Sequence, residues 1–337
     1  MQYTAKKCNM QPKRYLTDLV REDLKEKIVF IGGPRQVGKT TFTLSVLGAQ
    51  ERAHPAYFNW DILSDREKIL AEELPAGQKT VVFDEIHKYA RWRNLVKGFY
   101  DKNTPHIRFL VTGSARLDYY SKGGDSLHGR YYYYRMHPFT LPELNSYTKK
   151  ETEVLLQFGG FPEPLFKANE RFSRRWRLNR NRQIIHEDLR DLENIRELSL
   201  IDLLVSLLPE RVGQILSVQS LREALQVAHE SVERWLTALE NMYLIFRVPS
   251  YSAKKIRSVK KEKKLYFWNW AEATEHGARF ENMVASHLLK YCHFIEDSEG
   301  HAMQLCFLRD TDGREIDFLV LKNGKPDFAV ECKSGDK

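Results

Sequence analysis

The chain has 337 residues, of which 42% are hydrophobic, and a formal charge of +8; that length predicts two to three domains with cores of their own, and that charge leaves room for a polyanionic partner. No run approaches the ~18 apolar residues of a membrane span, and residues 1–14 are polar and basic without the apolar core of a signal peptide, so a cytoplasmic protein with no membrane partner is expected. Cys8, Cys292, Cys306 and Cys332 are too scattered for a zinc pair or a disulfide framework.

Residues up to about Arg14 read as a loose tail. Leu16, Leu19, Val20 and Leu24 recur at helical spacing and predict an amphipathic helix over residues 15–26. The apolar, β-branched run 27–31 then reads as a buried strand. After it, Gly33-Pro34-Arg35-Gln36-Val37-Gly38-Lys39-Thr40 matches G-x-x-x-x-G-K-[ST], and residues 41–47 read as a helix. Strand, glycine turn and helix is the context in which that pattern has physical meaning. The glycines let successive N–H groups turn towards phosphate oxygens, and the helix start adds partial positive charge. Gly33 to Thr41 is therefore the expected ATP site. Lys39 would reach the β- and γ-phosphates, and the Thr40 hydroxyl would ligate Mg²⁺.

Residues 56–61 read as a short strand, and residues 79–85 as a clearer one ending in Asp84-Glu85, the form of a Walker B element. A carboxylate at that strand tip can hold Mg²⁺ through water, which is the role expected of Asp84. Glu85 would orient and polarise the attacking water. A further strand, 107–111, ends in Thr112-Gly113-Ser114, where Thr112 or Ser114 is a candidate γ-phosphate sensor and a plain turn is the alternative. Beyond a Gly123-Gly124 loop, Tyr131 to Tyr134 predicts another strand after Gly129-Arg130. Strands alternating with helices over residues 1–137 predict an α/β fold with a mostly parallel sheet and ligand at the carboxyl strand ends.

The glycine loop, Asp84-Glu85-Ile86-His87-Lys88, Thr112-Gly113-Ser114, Gly129-Arg130, His137-Pro138-Phe139 and Gly159-Gly160-Phe161-Pro162-Glu163 together resemble a large prokaryotic family of AAA-like P-loop ATPases. The family is similar to the signal-transduction ATPases and carries a winged-helix segment and a C-terminal domain resembling the restriction-endonuclease fold. The resemblance runs from about Tyr15 and implies ATP binding and hydrolysis. Within it Arg130 could complete the γ-phosphate site in cis, act as an arginine finger on a neighbouring copy in a homo-oligomer, or form a structural ion pair. The arginines at 171, 174, 175, 177, 180 and 182 would lie on helices lidding the nucleotide, with Arg174, Arg175 and Arg182 as possible phosphate sensors.

The expected domains are a P-loop ATPase domain over 15–150, a helical lid over 151–195, a winged-helix-like domain over 196–264 and a nuclease-like α/β domain over 265–337. In the third, Leu200, Leu203, Leu204, Leu207 and Leu208 predict one apolar helical face, Leu221, Leu225 and Val227 a second, and Val232, Trp235, Leu236 and Leu239 another. A strand and a basic hairpin, residues 254–264, follow, as in a winged helix. Glu230, Glu233 and Glu240 on the last helix would repel phosphates, which makes the basic wing the better DNA contact. In the final domain Glu281 on a helix, Asp317 on a strand and Glu331-x-Lys333 on the next have the form of the PD-(D/E)XK nuclease motif. Alternation would put Glu331 and Lys333 on one face and Cys332 on the other. The chain stops soon after Lys333, so this domain reads as incomplete. Three functions stay open: an ATPase whose nucleotide state controls the C-terminal modules, an ATP-gated metal-dependent DNA nuclease, or an ATP-holding nucleic-acid or regulatory protein without turnover.

Overall fold

The computed structural model describes residues 12–113, 127, 129–144, 148–190, 195, 197–251, 262–310 and 312–333. The chain divides into two compact units at His137/Pro138, and each is taken by itself.

The first unit begins with α1 (Thr17–Asp23) and continues through β1 (Ile28–Gly32), α2 (Lys39–Leu47), β2 (Tyr57–Asn59), α3 (Leu63–Leu70), β3 (Thr80–Asp84), α4 (Trp92–Asn103), β4 (Arg108–Gly113) and β5 (Tyr131–Arg135). The strands form one sheet in the order β2-β3-β4-β1-β5 with every pairing parallel. This is the fold of a P-loop NTPase. Every residue of β1 is buried, as a strand covered on both faces must be, which is why it reads as an unbroken apolar run. Phe30, Phe83, Phe109 and Val111 from three adjacent strands meet Trp92, Val96 and Phe99 of α4 in the core. Register decides where the strand tips fall. Ile31 lies opposite Thr112 and Phe83 opposite Val111, so the loop after β1, the end of β4 and the tip of β3 share the carboxyl edge of the sheet.

The same register removes one expectation. Tyr131 pairs with Ile28, and the Arg130 carbonyl accepts a hydrogen bond from the Ile28 N–H at 3.1 Å, so Arg130 sits at the amino end of β5. About five strand residues, roughly 16 Å, separate that end from the loop. Arg130 does not reach the loop in cis. Its Nε instead donates to Asp101 at 3.0 Å on the surface.

The second unit opens with four helices, α5 (Leu141–Leu144), α6 (Lys149–Phe158), α7 (Pro162–Lys167) and α8 (Glu170–Gln183), the last running into a π-helical turn at Ile184–Leu189. Then come α9 (Leu198–Leu207), α10 (Val218–Leu225), α11 (His229–Asn241), β6 (Ile245–Pro249), β7 (Lys263–Phe267), α12 (His276–Glu299), β8 (Met303–Arg309), β9 (Glu315–Lys322) and β10 (Lys325–Val330). β6 and β7 form an antiparallel ribbon, and β8, β9 and β10 an antiparallel sheet in the order β10-β9-β8. α9, α10 and α11 precede the β6–β7 ribbon along the chain. The buried face of α9 is turned from the predicted one: Ile201, Leu204, Val205 and Leu208 are inside, whereas Leu203 is 46% exposed. A leucine-rich stretch reads equally well in several helical phases, and tertiary packing chooses one.

Two buried cations hold this unit together. Arg247 on β6 donates Nη1 to Glu233 at 2.7 Å and Nη2 to Glu240 at 2.8 Å, both on α11. Those two acids are therefore neutralised, contrary to the expectation that they face phosphate as free charges. Lys290 of α12 donates to the Pro138 carbonyl, to Thr140 Oγ1 at 2.9 Å and to Glu143, anchoring α5.

Candidate functional site

The loop between β1 and α2 is built on backbone that only certain residues tolerate. Gly33 has φ +150° and Gly38 φ +98°, with Gln36 also left-handed at φ +63°. At Gly33 a Cβ would stand 2.5 Å from the Met136 carbonyl oxygen, so glycine is required on space as well as on conformation. Lys39 is buried, and its ammonium donates to the carbonyls of Gly33 at 2.9 Å and Pro34 at 2.8 Å. A residue outside the motif braces the loop. Arg14, buried rather than part of a loose tail, donates Nη1 to the Val37 carbonyl at 3.0 Å and Nη2 to that of His137.

Asp84, at the tip of β3, is buried and collects three hydroxyl donors: Thr40 Oγ1 at 2.7 Å and Tyr57 at 2.5 Å on one oxygen, and Thr112 on the other. Thr40 and Asp84 are thus in contact across 44 positions of sequence. Hydroxyl and carboxylate oxygens are the hard donors that suit Mg²⁺. Tyr57 was not foreseen. Its place follows from strand alternation, which sets it on the same face of β2 as Asn59, itself paired with Asp84. Burial and the Asp84 charge raise the Tyr57 pKa, so its hydroxyl stays a donor.

Glu85 leaves the strand at φ +58° and donates its backbone N–H to the Thr112 carbonyl at 3.1 Å. A non-glycine residue held there costs on the order of 1–3 kcal/mol, the kind of strain that gathers at functional sites. Burial pushes its carboxyl above the ordinary carboxylate range, with Lys39 opposing and Asp84 reinforcing the shift. His87, on the 3₁₀ turn Ile86–Lys88, has a side chain only 2% exposed. Neither of its ring nitrogens has a hydrogen-bond partner among the described residues, and Nε2 lies 3.8 Å from Glu85 Oε2. Burial, then the nearby Lys88 and Lys39, push this imidazole down to about 3. Ser114, the other sensor candidate, lies outside the described residues.

Residues 25–145 match a family model described as an AAA domain. The first unit, with its P-loop NTPase fold, is similar to that family over those residues. Residues 149–271 and 276–337 match two further models, each described as a domain of unknown function (DUF8612 and DUF4143). An uncharacterized protein of Mycobacterium tuberculosis, Rv2008c, is 25% identical over 240 residues, covering 71% of this chain and 53% of its own length. The chain therefore spans about half the length of that relative. An uncharacterized Methanocaldococcus jannaschii protein, MJ1637, is 23% identical, with coverage of 84% and 74%. Among solved structures, the Thermotoga maritima RuvB Holliday junction branch migration motor aligns at TM-score 0.32 and 16% identity, over 69% of this chain and 86% of that one. The AMPPCP-bound DnaA of Aquifex aeolicus aligns at TM-score 0.34 and 14% identity, over 67% and 86%. Likeness at that level carries no argument.

Beyond the first unit, the arginine run divides by helical phase. Arg171, Arg174, Arg175 and Arg182 are exposed on α8. Arg180 is fully buried, its guanidinium 4.4 Å from the Phe161 ring centre, and burial pulls it down to about 10. Most of the basic wing, residues 252–261, lies outside the described residues; Lys264, counted in it, is buried on β7.

Lys264 also changes the nuclease-like set. Its ammonium meets Glu315, Glu281 at 3.4 Å and Asp317 at 3.9 Å, while the Tyr266 hydroxyl donates to Glu281 at 2.7 Å. Burial lowers the Lys264 pKa, but the Glu315 hydrogen bond and the three carboxylate charges outweigh it, and the net shift is upward. Asp317 accepts the Cys332 N–H at 2.7 Å, and Glu331 and Lys333 are exposed. Of that set, Glu281 and Asp317 meet at Lys264, and Glu331 and Lys333 stand exposed on either side of Cys332. No group of three or more His, Cys, Asp or Glu among the described residues is arranged to hold a metal. The physical reason is that β7 brings a fixed cation to the place where the carboxylates gather.

Proposed function

We propose that the chain is a Mg²⁺-dependent ATPase whose nucleotide state governs the posture of its second unit. The observation that carries the reading is the contact of Thr40 with Asp84, beside the Lys39 ammonium, at the amino end of α2. Residues 33–41 other than Pro34 would bind the phosphates through backbone N–H groups, with Lys39 exchanging the Gly33 and Pro34 carbonyls for β- and γ-phosphate oxygens. Thr40 and Asp84 would hold Mg²⁺, which when bound supplies charge neutralisation at those oxygens. Glu85 orients the water whose oxygen forms the new bond to the γ-phosphorus, and the bond to the β–γ bridging oxygen breaks to release ADP. Lys39 stabilises the charge that builds on the transferring group. Thr112 acts through Asp84, whose second oxygen it holds.

The second unit would be the responding part: a winged-helix-like segment, supported by α9 to α11 and the β6–β7 ribbon, and a nuclease-like module supported by the α12-β8-β9-β10 order. Lys264 among the carboxylates favours a module without metal-dependent cleavage. DNA is the partner proposed for the wing, and a phosphate role for Arg130 would require a neighbouring copy in a homo-oligomer. A Mg²⁺-dependent ATPase assay with and without DNA tests the reading. Turnover that vanishes with chelator supports it, and calorimetry showing no ATP uptake by folded protein would overturn it.

A further inference from the structure

We propose that His87 is a positioning residue for Glu85, donating an Nε2–H hydrogen bond to that carboxylate in the nucleotide-loaded site. This rests on the ATPase reading above and adds to it a residue that reading leaves without a task.

Three observations bear on it. The ring is nearly fully buried yet neither nitrogen is partnered among the described residues, a state that leaves its lost hydration uncompensated. A position that served packing alone would be better filled by an apolar side chain. Next, Nε2 stands 3.8 Å from Glu85 Oε2, within about 1 Å of hydrogen-bond distance, and both residues belong to the turn that closes β3. A small rotation of either side chain makes the bond. Finally, the charges around the ring fix what it can give. Lys39 from α2, Arg35 from the loop and Lys88 on its own turn face it, against Asp84 and Glu85. In that surrounding the imidazole is neutral, so it brings one N–H and no charge.

A neutral donor suits the job. An N–H held on Oε2 fixes the carboxylate plane and leaves the other oxygen for the water.

Steady-state turnover of Mg·ATP by the full chain and nucleotide affinity by fluorescence titration test this together. His87→Ala is expected to lower kcat roughly 10- to 100-fold, at or below the usual span for acid–base groups, with the ATP dissociation constant within about twofold of wild type. His87→Gln, which keeps an N–H near the Nε2 position, should recover most of the rate. In a Glu85→Gln background His87→Ala should change the rate less than about twofold. If alanine prevents folding, His87→Leu fills the space without an N–H and should show the same loss. Wild-type kcat in His87→Ala or His87→Leu, no recovery in His87→Gln, or an undiminished loss in the Glu85→Gln background would each overturn the proposal while leaving the ATPase reading standing. Absence of turnover by wild type would remove both.

Discussion

Around Asp84 the neighbours are hydroxyls, from Thr40, Tyr57 and Thr112, and the fixed cation of the loop, Lys39, rests on carbonyls instead. Around Glu281, Glu315 and Asp317 the middle is taken by the ammonium of Lys264. Hydroxyls can turn to share an incoming cation with the carboxylate they serve, whereas a buried lysine already supplies the charge and would have to be expelled. A set of carboxylates in a sequence thus announces that a positive charge will be present without saying whether an ion or a side chain provides it.

Substitutions that exchange these arrangements should have the largest effects. Lys39→Ala is expected to reduce ATP turnover on the order of 10³-fold and Asp84→Asn on the order of 10²-fold, each with little change in thermal stability; equal rates in either variant would break the contrast at its first member. At the other site Lys264→Met leaves three carboxylates without their partner and should cost about 3–5 kcal/mol in urea unfolding. Unchanged stability there would mean the ammonium is dispensable, and the second member would fall.

Acid and base sharpen the comparison in opposite directions. His87 titrates near 3 in the folded chain, against an ordinary 6.5. The unfolded chain then takes up the proton first, and stability should fall as pH drops from about 6.5 towards 3, by a few kcal/mol in all; His87→Gln should flatten that limb. Lys264 is raised above its ordinary 10.5, so its contribution is complete below that value and is lost as pH climbs through the folded value. Melting curves of the wild type and of each variant across the range would read both limbs. The smallest effect lies outside either site. Replacing Arg171, Arg174 and Arg175 on the exposed face of α8 by glutamine should weaken binding of any DNA uniformly, reducing the salt slope by about 1 for each phosphate left without its arginine, as followed by anisotropy at two ionic strengths.

Legibility in the sequence tracked how local the cause was. The glycine loop could be placed because left-handed backbone at Gly33 and Gly38 is a property of the residues themselves, and the parallel order of strands then brings the tip of β3 to it. Arg130 was misjudged in reach because nearness in strand order says nothing of which end of the strand a residue occupies. Lys264 was read as part of a basic wing, since its burial depends on the pairing of β7 with β6 and on where α12 and β9 bring their acids. No spacing rule connects those. The phase of α9 was lost in a run of leucines, and Tyr57 among aromatics that all suited a strand.

Arg14 has a practical consequence. The family match starts at residue 25, eleven positions beyond it, so a fragment trimmed to that boundary would keep every motif residue and yet lose the guanidinium that ties the Val37 carbonyl to the chain after β5. Weak nucleotide uptake by such a fragment would report a missing brace, not a missing activity.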